Sequence, residues 1–356
     1  MKLIKTEDAV GQVLCHDMTQ ILPGGKDKDG NDLPRYKGPR FKKGHVVTEE
    51  DIPVLLSMGK ANLYVWEMEP GMLHENDAAE RLAALCLGEG TRASGEPSEG
   101  KIGIEAACDG VFLVDSERLA AVNATDEVMV ATRKGNFAVH EGDALAGTRV
   151  IPLVVREEVV ASAERAANVD EKGALMRVAP WKLRTVAIIA TGSEVAGGLI
   201  EDKFTPVVEK KFAAYGVKCV YRATPGDEQD AIVSAINEGI AAGADIIACT
   251  GGMSVDPDDN TPGAIKRAGA RIVTYGAPVL PGAMLLVGYF DRDGKQIPVV
   301  GLPGCVMYNA ATVFDLVLPR IVAGVELRKS DFVELGEGGL CLHCKPCTFP
   351  LCPFGK

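Results

Sequence analysis

The chain is expected to fold as an α/β protein. Its main body should be a three-layer domain with a mostly parallel sheet, preceded by smaller β-rich and α+β modules. Two stretches carry that expectation. From Arg184 to Asp202 a β-branched apolar run, Val186–Ala190, breaks at Thr191-Gly192-Ser193 and re-enters with helical spacing. From Asp245 to Pro262 the pattern repeats: the run Ile246–Thr250 ends in Gly251-Gly252-Met253-Ser254, and Thr261-Pro262 starts a helix. A short buried strand that leads through a glycine turn into a helix gathers free backbone N–H groups where an anion can be held. The third observation is the alternation after Trp181, with strands predicted at 186–191, 217–222, 245–250 and 271–275 and helices at 197–215, 228–242 and 261–269. Such alternation makes consecutive strands parallel and covers both sheet faces with helices.

Residues 1–88 read as an α+β module. Short apolar segments alternate with Gly and Pro turns, and Thr48–Asp51 resembles a capping box leading into a helix over 52–56, closed by Gly59 and followed by a strand at 63–66. Leu22–Pro39 carries Lys26, Lys28, Arg35 and Lys37 and reads either as a solvated hairpin or as a mobile loop reaching over an anionic ligand. A helix is predicted over 77–87 and a Gly/Ser/Glu linker over 88–100. Residues 101–165 are expected to be β-rich, since Gly110, Asn123, Gly135, Gly142 and Gly147 punctuate strands at 111–114, 127–130 and 150–155 before a helix at 157–168. The α/β domain spans 181–325 and closes with a hairpin of 284–290 and 297–301 around Asp291–Gly294, then a helix over 305–322. A cysteine-rich tail occupies 336–356.

Composition narrows the function classes. With 356 residues, 47% hydrophobic and 24% charged, the chain is an ordinary globular protein of about two or three domains. A net charge of -11 argues against a general nucleic-acid binder, because neutralising phosphates needs a basic surface. Lys2, Lys5, Glu7 and Asp8 stand where a signal peptide would need its apolar core, and no apolar run approaches the ~20 residues of a membrane span, so a cytoplasmic protein with no membrane partner is expected. Six of the ten cysteines are scattered, which fits a reducing compartment.

Ligands of parallel sheets sit outside the carboxyl ends of the strands. Thr191, Gly192 and Ser193 from one turn and Thr250, Gly251, Gly252 and Ser254 from the other are therefore the candidate anion site, glycine allowing close backbone approach and the hydroxyls adding donors. Asp256, Asp258 and Asp259 beside such a cradle call for a cation, and an all-oxygen set suits Mg²⁺; Asp259 or Asn260 would equally serve as a helix cap. Asp227 and Glu228 carry the same ambiguity. Cys305 is either a small helix-start residue or a thiolate of lowered pKa. In the tail, Cys341, Cys344, Cys347 and Cys352 follow a Cys-x2-Cys-x2-Cys-x4-Cys-Pro pattern. That pattern fits a tetrahedral zinc site and, with one extra residue in its last gap, an iron–sulfur run, which the final Cys352-Pro353 slightly favours. So short a tail has almost no core of its own, so metal–thiolate bonds would be its main ordering force.

The ordered set Thr191–Val195, Asp202, Thr250–Val255, Asp259–Pro262, Pro281-Gly282 and Gly301–Gly304 resembles the molybdopterin-binding proteins of molybdenum cofactor biosynthesis. The resemblance is greatest to the molybdopterin molybdenumtransferase family, less to the adenylyltransferases that share the domain, and covers residues 181–325. It implies that the pocket takes the pterin and its terminal phosphate, with Pro281, Gly282 and Gly304 among the cofactor-binding positions. Asp259, Asp202 and Glu194 occupy the family's acidic functional positions, and the implied activity is Mg²⁺-dependent molybdenum insertion with molybdopterin and molybdate as partners, in a homodimer or other homo-oligomer. The chain departs from the pattern at four places: Ser193 stands for Asp, Lys203-Phe204 for Ser-Asn, Ala283 for Lys and Cys305-Val306 for Asn-Pro. Loss of the lysine removes a charge that could hold molybdate. A non-catalytic carrier, chaperone or sensor and an adenylyl transferase are therefore the alternatives, and Lys203, Lys266 and Arg267 are the side chains that could restore the charge.

Overall fold

A computed structural model of the chain describes residues 2–26, 32–65, 70–254, 259–292 and 294–356. Trp66 of the first predicted strand, Lys28 of the basic segment, and Asp256 and Asp258 of the acidic loop lie outside the described residues.

The C-terminal half is organised by a six-stranded sheet in the order Lys218–Ala223, Thr185–Ala190, Ile246–Thr250, Lys295–Leu302, Leu286–Arg292, Arg271–Tyr275. The first four strands run parallel, and Leu286–Arg292 is antiparallel to both its neighbours. Every residue of Ile246–Thr250 is buried, as a strand covered on both faces must be. Side chains alternate between the faces. Val186 and Ile188 join Val208, Phe212 and Phe314 in one core, while Ala187 and Ile189 join Ile232, Ile236 and Ile265 in the other. The domain is thus an α/β sandwich of three layers, as expected.

Two predicted helices are interrupted. The expected 197–215 helix begins only at Phe204 and runs to Ala213, and the turn Ser193–Ala196 ahead of it is a separate piece ended by Gly198, which takes a left-handed φ of +70°. The expected 305–322 helix splits into Cys305–Tyr308 and Val313–Val322. There Thr312 and Asp315 form a capping box, satisfying N–H groups that would otherwise need helical partners upstream. The hairpin pairs as predicted and extends to Arg292 opposite Lys295, but it does not form the sheet edge, because Arg271–Tyr275 pairs alongside Leu286–Arg292 and takes that place.

Upstream, a small core holds Leu14, Met18, Phe41, Leu55 and Leu63. Leu22–Pro39 belongs to a hairpin in which Met18–Lys26 pairs with Asp32–Phe41. The helix Glu75–Ala84, expected in the first module, packs its Leu82 into the core formed by Ile104, Phe112, Val130 and Val160 of the second. Nor is 88–100 a free linker, for its Thr91–Ala93 strand pairs with Lys101–Ala106. A Cβ at Gly88 would lie 2.3 Å from the Met176 carbonyl oxygen, so this glycine permits close backbone contact where a linker was expected. The tail, too, is better anchored than expected. Leu280 and Leu340 form a parallel bridge, Phe354 is 2% exposed in the main core, and Phe349 lies 6.2 Å from Phe137 of the β-rich module. Among the described residues no helix is long and apolar enough to cross a membrane.

Candidate functional site

The two glycine turns emerge side by side at the carboxyl ends of the adjacent strands Thr185–Ala190 and Ile246–Thr250, and they are bonded to each other. The Thr191 N–H donates to the Thr250 carbonyl at 2.7 Å, and the Thr191 hydroxyl donates to the same oxygen at 3.1 Å. With its one proton committed there, Thr191 Oγ1 accepts from the buried Thr261 hydroxyl at 3.0 Å. Glycine is required at this junction. Gly251 has φ +82°, and a Cβ on it would lie 2.2 Å from the Thr191 carbonyl oxygen; Gly252 has φ +52°, and its Cβ would lie 2.8 Å from Thr261 Oγ1.

A third turn joins them. Asp227 Oδ2 accepts from both the N–H and the hydroxyl of Ser193, at 2.8 and 2.6 Å, while the Asp227 carbonyl accepts from Asn260 Nδ2 at 3.0 Å. Asp227 is therefore the tie between turns that approach from different strands, and it places a carboxylate beside Ser193. The Ser193 hydroxyl is spent on that tie.

Beside this junction opens a cavity of about 430 Å³, lined by Thr191, Asp202, Lys203, Gly251, Met307 and Tyr308 among others. Thr250 lines it as well, but Gly192, Ser193, Glu194, Gly252, Ser254, Asp259, Pro281, Gly282 and Gly304 do not. Pro281 and Gly282 pack instead against the start of the Val313–Val322 helix: Val313 N–H donates to the Pro281 carbonyl at 3.1 Å, and a Cβ on Gly282 would meet Val313 Cγ1 at 2.4 Å. Met307 and Tyr308 were not singled out from sequence. They follow the strand Lys295–Leu302, which neighbours Ile246–Thr250, so the turn after it is a third wall of the crevice. Of the three cationic candidates only Lys203 lines the cavity; Arg267 is paired with Asp230 at 2.7 Å.

The acidic positions do local structural work. Asp202 Oδ1 accepts from the N–H groups of Phe204 and Thr205 at 2.8 and 3.0 Å, and Oδ2 accepts from the Thr205 hydroxyl, so the side chain starts the Phe204–Ala213 helix. The N-cap of the Thr261–Arg267 helix, Asn260, makes no side-chain cap bond, and Asp259 Oδ2 accepts from Ser254 N–H at 2.6 Å. That bond also removes Ser254 N–H from the donors open to an anion. Glu194 is exposed, and its carbonyl accepts from Leu199 N–H at 2.8 Å. Among the described residues no group of three or more His, Cys, Asp or Glu side chains is placed to hold a metal ion. Asp256 lies outside them, and Asp259 arrives with one oxygen engaged. Cys341, Cys344, Cys347 and Cys352 line one small cavity without converging to coordination distance. Burial raises the Cys305 thiol pKa, opposite to the lowered value considered from sequence, because a half-buried thiol loses hydration that a one-turn helix cannot replace.

Replacing Asp202 with alanine is expected to cost about 1 to 2 kcal/mol of stability through the lost cap. Urea unfolding measures it. A variant of unchanged stability would show that the carboxylate does not hold the helix start.

Residues 187–323 match the family model described as "Probable molybdopterin binding domain", and residues 3–67 match one described as "Domain of unknown function (DUF8806)". A CinA-like protein of Gemmatimonas aurantiaca is 33% identical over 128 residues, 36% of this chain and 29% of that protein. A CinA-like protein of Desulfosudis oleivorans is 36% identical over 84 residues, 24% of this chain and 20% of that protein. The chain thus spans less than a third of the length of the curated relatives it matches. Among solved structures, the tungsten cofactor synthesizing protein MoaB of Pyrococcus furiosus overlaps 35% of this chain and 84% of its own, at 22% identity and a TM-score of 0.31, a likeness too low to add to the fold argument. Over residues 187–323 the α/β domain is thus similar to domains described as probable molybdopterin-binding domains.

Proposed function

We propose that the chain binds molybdopterin, an anionic pterin phosphate, in the cavity beside the two glycine turns. The observation that carries this reading is the pair of turns locked together at the carboxyl ends of adjacent parallel strands, with a cavity of about 430 Å³ against them. Lys203 supplies the positive charge at its wall, and the Tyr308 ring, 80% exposed, is free to lie against a flat heterocycle. The Thr191 and Gly251 backbones bring the chain close to the ligand where side chains would obstruct it.

Molybdate is the second small-molecule partner in this proposal. Insertion needs a charge to hold the oxyanion, and with Ala283 at the lysine position of the family pattern that role falls to Lys203. Asp202 and Asp259 are both engaged by backbone N–H groups, so the described residues do not present a magnesium set, and no step here uses the ion. If Lys203 does not serve molybdate, the same cavity suits a carrier or sensor of the finished cofactor.

The deciding experiment supplies purified, oxygen-free protein with molybdopterin, molybdate, Mg²⁺ and ATP in all combinations. A pterin complex that takes up molybdate supports insertion; a stable complex without turnover supports a carrier; nucleotide transfer supports adenylylation. Lys203→Ala is expected to weaken pterin binding about tenfold, as loss of one charge-assisted contact does. Absence of any pterin binding by the wild-type chain overturns the proposal.

A further inference from the structure

The cysteine-rich tail is not used by the pterin reading and does not depend on it. Its two ends are fixed. At one end Cys341 N–H donates to the Leu280 carbonyl at 2.8 Å; at the other Phe354 is buried in the main core, and Lys356 Nζ donates to the Pro350 carbonyl at 2.6 Å. Between them residues 342–348 are exposed, and the N–H groups of 342–349 donate no backbone–backbone hydrogen bond among the described residues. His343, between Cys341 and Cys344, has a left-handed φ of +52°, uncommon for a non-glycine residue. All four tail cysteines are free, and all four line one cavity of about 30 Å³ beside Ala311 and Phe349.

We infer that this cavity is a four-thiolate site for a single zinc ion, held by Cys341, Cys344, Cys347 and Cys352. A space of this size holds about one water molecule's share of the liquid. It suits one ion with sulfur at about 2.3 Å, and on that ground we take a single ion over the cluster that Cys352-Pro353 suggested. The thiols surround the space without yet meeting at coordination distance. Binding therefore draws the exposed 342–348 loop inward, and ordering of that loop and loading of the ion are one event. Each thiol that ligates releases its proton to solvent. The resulting centre carries two negative charges, and the loop that holds it contains one cationic residue, Lys345.

The site lies close to the crevice along the chain: Ala311 lines the thiol cavity and Tyr308 lines the crevice, three residues apart, no more than about 11 Å of chain.

The test uses the full chain, produced with zinc in the medium and purified without oxygen. Elemental analysis should find about one zinc per chain and no visible absorption. Cys344→Ser and Cys347→Ser alter exposed side chains and leave the fold intact; each should lower bound zinc at least about tenfold, whereas Cys108→Ser, outside the tail, should not. A chelator should make 342–348 newly sensitive to protease while 185–302 stays resistant. Iron with visible absorption, neither metal near one per chain, or zinc unchanged in both serine variants would each overturn the assignment, and the wild-type analysis stands even if a variant fails to fold.

Discussion

Gly251→Ala is expected to lower the free energy of unfolding by about 3 kcal/mol or more and to abolish ligand binding with it. The added Cβ would lie 2.2 Å from the Thr191 carbonyl oxygen, a backbone atom that can move only by parting the two strands, and φ is +82°. Forced left-handed backbone costs about 1 to 3 kcal/mol and overpacking about as much again. Gly243→Ala is the control: φ is also +82° there, but nothing lies within 4 Å of the added atom, so only the backbone cost of about 1 kcal/mol should appear. Urea unfolding of both variants separates the two contributions. Equal losses at the two positions would mean that the turns are not in the close contact described.

Asp315→Ala is expected to cost about 2 to 3 kcal/mol, from the loss of a partly buried, charge-assisted bond together with a helix cap. Lys211 Nζ lies 2.5 Å from Asp315 Oδ1, and the two side chains are only 14% and 13% exposed. The second carboxylate oxygen accepts from Thr312 N–H at 2.8 Å in the capping box, so the same change frays the start of the Val313–Val322 helix. Lys211→Met combined with Asp315→Ala should recover part of the loss, because the partly buried ammonium that has lost its carboxylate is then gone as well. Chemical denaturation of the two single variants and the double one tests this. A purely additive double variant would show that the pair is not energetically coupled.

Both predictions concern contacts between segments far apart in the chain, and these were the features least legible beforehand. Asp202 and Asp259 read as functional acids by resemblance, but the role of a carboxylate depends on which donors lie about 3 Å away. For Asp202 those donors are the helix N–H groups that follow it, and for Asp259 the N–H of Ser254. Asp202 could have been recognised, since an aspartate two or three residues ahead of a helical run is a local capping signal. Met307 and Tyr308 carry no such signal. They reach the crevice because the strand Lys295–Leu302 pairs with Ile246–Thr250 across 52 residues of sequence.

By itself the sequence determined the three-layer α/β domain, the position of its glycine turns and the four-cysteine tail. These follow from local rules: a strand covered on both faces needs a continuous apolar run, a turn against neighbouring backbone needs glycine, and thiols three residues apart can share one centre. Tertiary structure alone decided the strand order, the packing of the Glu75–Ala84 helix into the second core, the tie through Asp227 and the membership of the cavity wall. Each of these depends on side chains and backbone groups from distant segments meeting within a few ångströms, and the periodicity of any one segment is compatible with many such meetings.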